Sequence, residues 1–331
     1  MAEKELRRGV VLHAGAIGDC LLTIPLASCL KETCSLDWLE FIGPAEYISF
    51  YPGRTCIDAI RPIEGIALHR LFETESDFVL EDNDPLLKLF NRYEQVVSLI
   101  GFGHPSFEKN LLFTVHCCRS AEVTLIDAKS PADAKLHVSN LYLNSFKQQQ
   151  QSEQTVPPDT VSICPLPEDY QAGGDMLERS GIDPDRKIVL IHPGSGSRQK
   201  CWHWHNFLQT AFDLKANGLQ PVFLLGPAEL ERFEDAAIQA IRQYHVLENL
   251  SLTQVLQVLS QTDAFLGNDS GIGHMAAGMG KKTLILFGPS DPVQYAQQGQ
   301  NVRIERLTAE TFVQPDTLAQ AAMTKTLLEM L

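Results

Sequence analysis

The sequence predicts an α/β fold built from two similar halves. Short apolar runs alternate with segments of helical character, this rhythm is interrupted near residue 160 and restarts at Lys187, and polar glycine-containing loops follow three of the apolar runs. Such alternation is typical of parallel sheets with crossover helices. We therefore expect two α/β domains, residues 1–168 and residues 169–331.

Size, charge and cysteine content narrow the class of protein. The 331 residues suffice for two domains, and the hydrophobic content of 44% suffices for two cores. The formal net charge of -14 argues against non-specific binding to nucleic acid or anionic membrane. Eight cysteines without a CxxC or zinc spacing favour reduced thiols in the cytosol. No apolar run reaches the roughly 18 residues of a transmembrane helix, so membrane contact would be peripheral.

The first unit of the predicted fold is a strand, a loop and a helix. The strand is "GVVLHAG", the turn is "AIGD", and the helix is "CLLTIPLASCLKE", which directs Leu21, Leu22, Leu26 and Leu30 toward the sheet. The same stretch also resembles an export signal that ends at a lipoprotein-type cysteine, Cys29. A signal peptide needs a uniformly apolar centre, whereas Asp19 lies in the middle of this one. We therefore expect a working loop here and no cleaved signal.

Two further strands, "WLEFIG" and "QVVSLIG", follow in the first half, together with two irregular segments. Residues 64–84 carry seven acidic side chains against Arg70 and predict an exposed acidic insertion. Its "EDND" could suggest a calcium loop, but the full spacing and the terminal glutamate are missing, which favours a solvated loop. Residues 147–160 are of low complexity and predict a surface loop or a boundary.

The second half repeats the α/β pattern. Residues 161–167, "VSICPLP", are expected to form the last strand of the first domain, and residues 168–182 a linking helix. The strands that follow are "KIVLIHPG", "QPVFLLGP", "AFLGND" and "TLILFGP", and the helices include "HNFLQTAFDLKANG" and "AELERFEDAAIQAI". The final residues, 316–331, predict an amphipathic helix with Leu318, Ala322, Leu327 and Met330 on its apolar face.

Three loops, "HAGAIGD", "HPGSGSRQK" and "GNDSGIGH", each come between a predicted strand and a helix. Open α/β sheets bind ligands at the carboxyl ends of their strands, which is where such loops lie. The sequence therefore predicts that the three loops contribute to one site.

The middle loop has the chemistry of a phosphate site. Its glycines allow backbone N–H groups to approach a ligand, Ser195 and Ser197 supply hydroxyls, and Lys200 supplies a cation. It is neither a Walker loop nor a dinucleotide GxGxxG. Lys200 alone could be an ordinary surface lysine, whereas the loop as a whole favours phosphate. The neighbouring His203 and His205 point in different directions from a helix start and do not predict a metal site.

Asn268, Asp269 and Ser270 precede a predicted helix, so an Asp or Ser here could simply be the N-cap. The flanking glycines leave the approach open, and His274 lies in the first turn near the positive end of the helix dipole. We expect this helix end to hold a diphosphate while Asp269 faces neutral hydroxyls.

Asp19 has the same two interpretations. At a helix start a carboxylate can act as a cap, which stabilises the anion. Burial in a closed cleft would raise its pKa and make it a general base for an acceptor hydroxyl, which is the interpretation we favour.

The loops in this order resemble glycosyltransferase family 9, the ADP-heptose:lipopolysaccharide heptosyltransferases. The resemblance covers most of the chain and rests on "GAIGDCLLTIPLASCLK", "IHPGSGSRQKCWHWHNF", "VFLLGPAELE" and "FLGNDSGIGHMAAGMGKKTLILFGPSDP". It implies a GT-B fold, in which two Rossmann-like domains face a central cleft, with the acceptor on the first domain and the nucleotide sugar on the second. The final helix would return to the first domain.

The resemblance also implies an activity. The enzyme would transfer heptose from ADP-heptose to lipopolysaccharide or another bacterial surface glycan, with inversion and with neither a metal nor a cofactor. It would work in the cytoplasm, with peripheral contact at the inner face of the cytoplasmic membrane. The "DPD" at residues 183–185 contains a proline and predicts a turn instead of a metal-binding Asp-x-Asp motif.

The family's functional residues transfer to matching positions in this sequence. Asp19 matches the general base, and Lys200 the cation that faces the donor's phosphates. Glu229 matches an acidic residue near the nucleotide, and Glu231 competes with it because a one-residue shift of the loop would exchange the two. The remaining donor-side positions are Ser195, Gly196, Asp269, Ser270, Gly271 and His274.

The acceptor side departs from the family pattern. Members that act on phosphorylated lipopolysaccharide present basic residues there, whereas this chain offers the acidic insertion and only His104 and Lys109 as candidates. Two alternatives to the transferase stay open. One is a catalytically silent member that binds nucleotide or glycan, and the other is a nicotinamide-dependent oxidoreductase, which the missing GxGxxG disfavours.

Overall fold

The computed structural model describes residues 6–118, 121–131, 134–151 and 161–331. They form two compact α/β units, which divide between Asp159 and Thr160. Among the described residues, no helix is both long enough and apolar enough to cross a membrane.

The first unit contains a five-stranded parallel sheet in the order β3-β2-β1-β4-β5. Its strands are β1 Arg8–Leu12, β2 Trp38–Gly43, β3 Ala59–Pro62, β4 Gln95–Ser98 and β5 Glu122–Leu125. Its helices are α1 Ile17–Leu22, α2 Ile24–Thr33, α3 Ala45–Ile48, α4 Pro85–Phe90, α5 Pro105–Cys118 and α6 Val138–Gln150, with 3-10 turns at Ile63–Gly65 and Leu68–Phe72.

The second unit contains a six-stranded parallel sheet in the order β11-β10-β9-β6-β7-β8. Its strands are β6 Ile188–His192, β7 Gln220–Leu225, β8 His245–Glu248, β9 Ala264–Asn268, β10 Lys282–Phe287 and β11 Val302–Arg306. Its helices are α7 Pro167–Arg179, α8 Trp204–Ala216, α9 Pro227–Arg232, α10 Asp235–Ile241, α11 Leu252–Ser260, α12 Gly271–Gly278, α13 Pro292–Tyr295, α14 Ala309–Val313 and α15 Thr317–Met330, with a 3-10 turn at Arg198–Lys200.

Each sheet has one point at which the strand order reverses. In the first unit the chain builds outward from β1 to β3 and then returns to place β4 on the other side of β1. In the second unit the corresponding reversal lies between β6 and β9. Crevices at the carboxyl ends of strands beside such a reversal are where open α/β sheets bind ligands. The first predicted loop follows β1, and the other two follow β6 and β9.

Two predicted helices are each divided in the structure. The helix after β1 is interrupted at Thr23, and Pro25 occupies the first turn of α2. Proline has no N–H and fits the start of a helix better than its interior. The predicted helix after β7 is likewise divided into α9 and α10 at Phe233 and Glu234. The four leucines expected to face the first sheet are buried.

The prediction of a strand at residues 161–167 is wrong. Residues 161–166 form no strand, and their backbone joins the second unit through a hydrogen bond from the Ile163 amide to the Gly278 carbonyl, 3.0 Å. Pro165 and Pro167 lack the N–H that a central strand donates, which explains the failure. The linking helix is confirmed as α7, which packs on α11.

The predicted acidic insertion is only in part a solvated loop. Glu64, Glu75 and Asp77 are exposed, but the segment also buries Leu68, Leu71 and Phe78 in the core of the first unit. Asp84 is also buried, which corrects its assignment to an exposed loop. Its carboxylate caps α4 by accepting a hydrogen bond from the Leu86 amide, 2.9 Å, and pairs with Arg70, 2.8 Å.

The low-complexity segment, residues 147–160, was expected to be a surface loop or a boundary, but its first residues are helical. Residues 147–150 continue α6, and residues 152–160 lie outside the described part of the chain. The final predicted helix is α15, which Asp316 caps and which packs on α8. Its buried face carries Met323 and Leu327, whereas Leu318, expected on the apolar face, is exposed.

Candidate functional site

Loops from four adjacent strands of the second sheet converge in one region. Strands β7, β6, β9 and β10 are neighbours in that order, and their carboxyl ends lead into the segments that contain Glu229, Ser195, Asp269 and Ser290. Direct contacts join these segments. Asn268 at the end of β9 donates a hydrogen bond to the Pro193 carbonyl, 2.8 Å, and accepts one from the Trp202 amide, 2.9 Å. The two predicted loops of this unit are therefore fixed against each other.

Lys200 and Asp269 form an ion pair at the centre of this region. The Lys200 ammonium donates to the Asp269 carboxylate at 2.8 Å, and the Ser290 hydroxyl donates to the same oxygen at 2.9 Å. Asp269 is buried at 7% exposure, whereas the Lys200 side chain is 37% exposed. The Ser195 hydroxyl donates to the Asp269 carbonyl at 2.5 Å. Lys200 is thus held by its partner and still accessible to a ligand.

The carboxylate of Glu229 is buried against the Ser195 loop, next to Gly194. It accepts a hydrogen bond from the Gly226 amide, 2.7 Å, and lies 3.6 Å from Nε2 of His192. Burial would raise the pKa of Glu229, but the contacts with His192 and Gly226 outweigh it and hold the pKa below its ordinary value. Glu231 is exposed, so of the two competing glutamates it is Glu229 that faces inward.

His192 connects Glu229 to the start of α12. Its Nδ1 lies 3.5 Å from the hydroxyl of Ser270, which is the N-cap of α12 and accepts a hydrogen bond from the Gly273 amide, 3.3 Å. Gly271 is the first residue of that helix, and His274 lies buried in its first turn. The structure therefore makes Ser270, and not Asp269, the cap.

Gly194 and Gly196 have different surroundings in the phosphate-type loop. A Cβ atom at Gly194 would lie 1.8 Å from a carboxylate oxygen of Glu229, so any other residue there would have to displace that side chain. A Cβ atom at Gly196 would meet no atom within 4 Å. Arg232 on α9 donates to the carbonyls of Ser195, 3.2 Å, and Gly196, 3.4 Å. Arg232 thus fixes the backbone of the loop, while the space next to Gly196 remains free.

A cavity of about 490 Å³ lies beside these residues within the second unit. Its lining includes Glu229 and Arg232 together with the aromatic side chains of Trp204 and Phe233. A volume in this range, with apolar walls and a few placed polar groups, is typical of small-molecule sites.

Asp19 lies in the first unit, at the third position of α1. It is half-buried, and its carboxylate accepts a hydrogen bond from the Ala16 amide at 3.1 Å. Ala16 is the N-cap, so Asp19 is not the cap itself, although it satisfies the cap's amide. The carboxylate stands at the carboxyl end of β1, beside the reversal of the first sheet.

A buried histidine supports the loop that carries Asp19. Nδ1 of His13 accepts a hydrogen bond from the Gly15 amide, 2.8 Å. Burial lowers the pKa of His13 to about 4, and the nearby charge of Asp19 opposes this only in part. His13 is therefore neutral near pH 7 and contributes no positive charge beside Asp19.

The acceptor-side candidates show little free positive charge. Lys109 on α5 is paired with the exposed Glu75, 2.5 Å. His104 accepts a long hydrogen bond from the Phe107 amide, 3.4 Å, and its ring contacts Phe72 at a centroid distance of 5.0 Å. Both residues follow β4, the strand beside β1, but nothing in their geometry assigns them a ligand.

The sequence pointed to the loops but not to every residue in them. His192, Arg232 and Ser290 contact the predicted residues and were not expected. His192 ends a buried strand directly before the glycine loop, which is a usable signal, whereas Ser290 lies in the quoted "FGPSDP" without a pattern of its own. Within the described ranges, no three His, Cys, Asp or Glu side chains are placed to hold a metal ion.

Comparison with known proteins assigns the family. Residues 133–324 match glycosyltransferase family 9 (heptosyltransferase), and this range is more than half of the chain. The chain belongs to glycosyltransferase family 9. The match contains the Ser195 loop, Glu229 and the Asp269 loop, whereas Asp19 lies before it.

The curated relatives of this chain are distant. The chain is 29% identical over 131 residues to lipopolysaccharide heptosyltransferase 1 of Pseudomonas aeruginosa, which is 39% of this chain and 36% of that protein. It is 25% identical over 149 residues to lipopolysaccharide heptosyltransferase 1 of Escherichia coli K12, which is 44% of this chain and 45% of that protein. The chain thus spans less than half the length of the curated relatives it matches.

Solved heptosyltransferase structures share the fold over almost the whole chain. The ADP-heptose lps heptosyltransferase II of E. coli has a TM-score of 0.70 at 15% identity, covering 97% of this chain and 98% of that one. E. coli heptosyltransferase WaaC with ADP has a TM-score of 0.65 at 16% identity, covering 98% of this chain and 100% of that one. These similarities establish the GT-B fold with two Rossmann-like domains.

Proposed function

We propose that this protein transfers heptose from ADP-heptose to lipopolysaccharide or another bacterial surface glycan, with inversion at the anomeric carbon and with neither a metal nor a cofactor. The observation that carries the proposal is the joining of Lys200, the Ser195 loop and the start of α12 beside one cavity that contains a buried carboxylate. The names of the curated relatives and the ADP in a structural neighbour support the choice of donor.

The donor's diphosphate fits the charges of this region. An ammonium has three N–H donors, so Lys200 can keep its bond to Asp269 and still donate to a phosphate oxygen. The backbone amides at the start of α12, near Gly271, offer the positive end of a helix to the same group. As the diphosphate leaves, the Lys200 ammonium and the helix amides would stabilise its negative charge, which is the role of a divalent ion in other transferases.

The nucleoside fits the cavity. The Glu229 carboxylate only accepts hydrogen bonds, so it suits the hydroxyls of a ribose. Trp204 and Phe233 give the cavity aromatic walls that suit a planar base. Asp269, held by Lys200 and Ser290, has the acceptor character that sugar hydroxyls require.

Asp19 supplies the base. It would remove the proton of the acceptor hydroxyl as that oxygen bonds to the anomeric carbon, while the bond from this carbon to the diphosphate breaks and its electron pair leaves with the diphosphate. Attack from the face opposite the leaving group inverts the anomeric configuration. We place the reaction in the cytoplasm, with peripheral contact at the inner face of the cytoplasmic membrane, where a lipid-linked acceptor is within reach.

A transfer assay tests the proposal. The protein is incubated with ADP-heptose and heptose-deficient lipopolysaccharide, with and without EDTA, and the anomeric configuration of the product is read by NMR. We expect transfer that EDTA does not reduce, with inversion, and no transfer from UDP-, GDP- or CMP-sugars. Binding of ADP-heptose without turnover on any acceptor would favour the catalytically silent alternative, and retention of configuration would contradict the mechanism.

A further inference from the structure

His192 is buried between Glu229 and Ser270, and the proposed function gives it no role. Its Nε2 lies 3.6 Å from a Glu229 carboxylate oxygen, and its Nδ1 lies 3.5 Å from the Ser270 hydroxyl. Both contacts are long for hydrogen bonds, and contacts in sites without ligand often tighten when the ligand binds. One imidazole thus joins the residue proposed to hold the ribose to the residue at the phosphate end of α12.

The donors and acceptors around a neutral His192 are fixed by elimination. A carboxylate only accepts, so Nε2, which faces Glu229, carries the proton, and Nδ1 is an acceptor. The Ser270 hydroxyl must then donate its single proton to Nδ1, while its oxygen accepts from the Gly273 amide. In this state Ser270 has no proton to offer a phosphate.

A diphosphate changes this arrangement because it also accepts hydrogen bonds only. If Ser270 turns its proton toward a phosphate oxygen, the lone pairs of Nδ1 and of the Ser270 oxygen face each other. A proton on Nδ1 removes the conflict, since His192 then donates to Glu229 through Nε2 and to Ser270 through Nδ1.

We propose that His192 takes up one proton from water when the diphosphate of the donor binds, and thereby directs the Ser270 hydroxyl toward the diphosphate. His192 is then a positioning residue that acts through Ser270. The inference rests on the proposed function, since it requires a nucleotide diphosphate at the start of α12.

The charged groups around His192 are compatible with the uptake of a proton by its imidazole. On α9, the Glu229 carboxylate lies 3.6 Å from Nε2 of His192 and, as an anion, would stabilise an imidazolium, and Arg232 is directed at the carbonyls of the Ser195 loop. On the loop after β6, Lys200 is neutralised by Asp269, and burial raises the pKa of the Cys201 thiol to about 11, so it stays uncharged.

Other residues nearby could also bind the proton. His274 on α12 and His203, the N-cap of α8, are histidines in the same region. Burial and the neighbouring His205 lower the pKa of His203, which makes it the weaker candidate. His203 serves as the control, and His274 is the competing candidate.

The test is calorimetric titration of the full chain with ADP-glucose. The diphosphate of this probe is esterified at both ends and has no pKa near neutrality, so any proton that is bound belongs to the protein. Titrations at pH 7.5 in buffers of different ionisation enthalpy give the number of protons taken up. We expect about one proton per ADP-glucose, and a dissociation constant that rises with pH by up to about tenfold per unit.

Three variants assign the proton. His192→Gln retains a side-chain donor and acceptor but cannot become a cation, so proton uptake and the pH dependence should both vanish. Ser270→Ala removes the hydroxyl to which Nδ1 of His192 would donate, so it should also reduce proton uptake. His203→Asn should take up the proton as the wild type does.

The outcomes separate this inference from the proposed function. Binding of ADP-glucose without proton uptake would overturn the inference alone. Uptake that survives in His192→Gln and disappears in His274→Asn would overturn it in favour of His274. Failure of both ADP-glucose and ADP to bind the wild type at any pH would overturn the proposed function and this inference with it.

Discussion

Two buried carboxylates, Glu229 and Asp269, organise the loops of the second unit, and each is already paired. Asp269 holds Lys200 and Ser290, and Glu229 holds the Gly226 amide and faces His192. A ligand therefore meets side chains whose positions are fixed before it arrives. Such preorganisation is what a site that stabilises a leaving diphosphate requires.

Asp19→Asn separates chemistry from binding. Asparagine keeps a carbonyl oxygen that can accept from the Ala16 amide, so the start of α1 should survive, but it cannot take a proton from an acceptor hydroxyl. We expect the rate of heptose transfer to fall by about 10²- to 10⁴-fold with an unchanged affinity for ADP-heptose. Single-turnover assays and calorimetry measure the two quantities. A transfer rate close to that of the wild type would remove Asp19 from the mechanism.

Gly194→Ala and Gly196→Ala form a matched pair in one loop. The methyl group at position 194 would displace the Glu229 carboxylate, and overpacking of this kind costs about 1–3 kcal/mol in unfolding free energy. At position 196 the methyl group meets open space. We expect Gly194→Ala to lower both the melting temperature and the affinity for ADP, and Gly196→Ala to leave the melting temperature unchanged. Equal melting temperatures for the two variants would contradict the placement of Glu229.

The sequence could identify these residues only in part. Glu229 and Glu231 both fit the pattern, and they differ because Glu229, at the third position of α9, accepts a hydrogen bond from the Gly226 amide at the start of that helix. The Lys200 to Asp269 pair joins side chains 69 positions apart, which no local pattern reveals. The position of His192 directly before the glycine loop is a signal in the sequence, but its contacts with Glu229 on α9 and Ser270 at α12 are not, because both partners are distant in the chain.

Helix α4 shows how the acidic insertion is anchored. Asp84 caps the helix and binds Arg70, whose second amino group donates to the Val79 carbonyl, 2.6 Å. Burial alone would raise the pKa of Asp84, but the bonds from Leu86 and Arg70 lower it below its ordinary value. The Asp84 cap thus joins the end of the insertion to α4, and the ion pair with Arg70 braces the insertion internally.

Asp84→Asn tests this anchor. Asparagine caps helices as well as aspartate does, so the change removes the charge and keeps the cap. We expect the free energy of unfolding at pH 7 to fall by about 1.5–3 kcal/mol, since Arg70 loses a charged hydrogen-bond partner. Asp84→Ala should cost about 1 kcal/mol more through the lost cap.

The pH dependence has a definite sign. A carboxyl whose pKa is lower in the folded state stabilises the protein above its unfolded pKa of about 3.9, and this contribution disappears as the pH falls through the folded value. The difference between wild type and Asp84→Asn in urea denaturation should therefore shrink below about pH 4. The exposed neighbour Asp82→Asn serves as the control and should resemble the wild type.

Strands were predictable where they are central and not where they are at an edge. The predicted strands became β1, β2, β4, β6, β7, β9 and β10, whereas β3, β5, β8 and β11 were missed and are the outer strands of the two sheets. Each outer strand has at most one buried residue. Their sequences lack the continuous apolar run of a strand covered on both faces, which is the pattern that reveals the others.

Each of the two units has its own sheet and its own core. The core of the second unit includes Trp202, Phe223 and Leu266, together with Met323 and Leu327 from α15. The prediction of two α/β domains from the repeated rhythm is confirmed. The rhythm depends on the order of the strands and helices and not on single contacts, so it can be read from the sequence. The failure at residues 161–167 arose from a proline-containing segment that looks apolar but cannot pair in a sheet.

The second unit should be able to bind the donor's nucleotide by itself. All the donor-side residues and the cavity lie in it. We expect a fragment of residues 161–331 to fold and to bind ADP with an affinity within about tenfold of the full chain, because its core is complete. Circular dichroism and calorimetry measure these properties. A fragment that folds but does not bind ADP would show that the first unit contributes to the nucleotide site.

The proposed donor site is tested most directly by calorimetric titration of ADP, UDP, GDP, CMP and NAD into the wild type and into Lys200→Ala. Lys325→Ala, which changes an exposed lysine of the same unit, is the control. We expect ADP to bind the wild type best and Lys200→Ala to weaken ADP binding about 10- to 100-fold, as the loss of a charged hydrogen bond would, while Lys325→Ala leaves it unchanged. Absence of binding by every nucleotide, or ADP binding that is indifferent to Lys200, would contradict the assignment of the donor site.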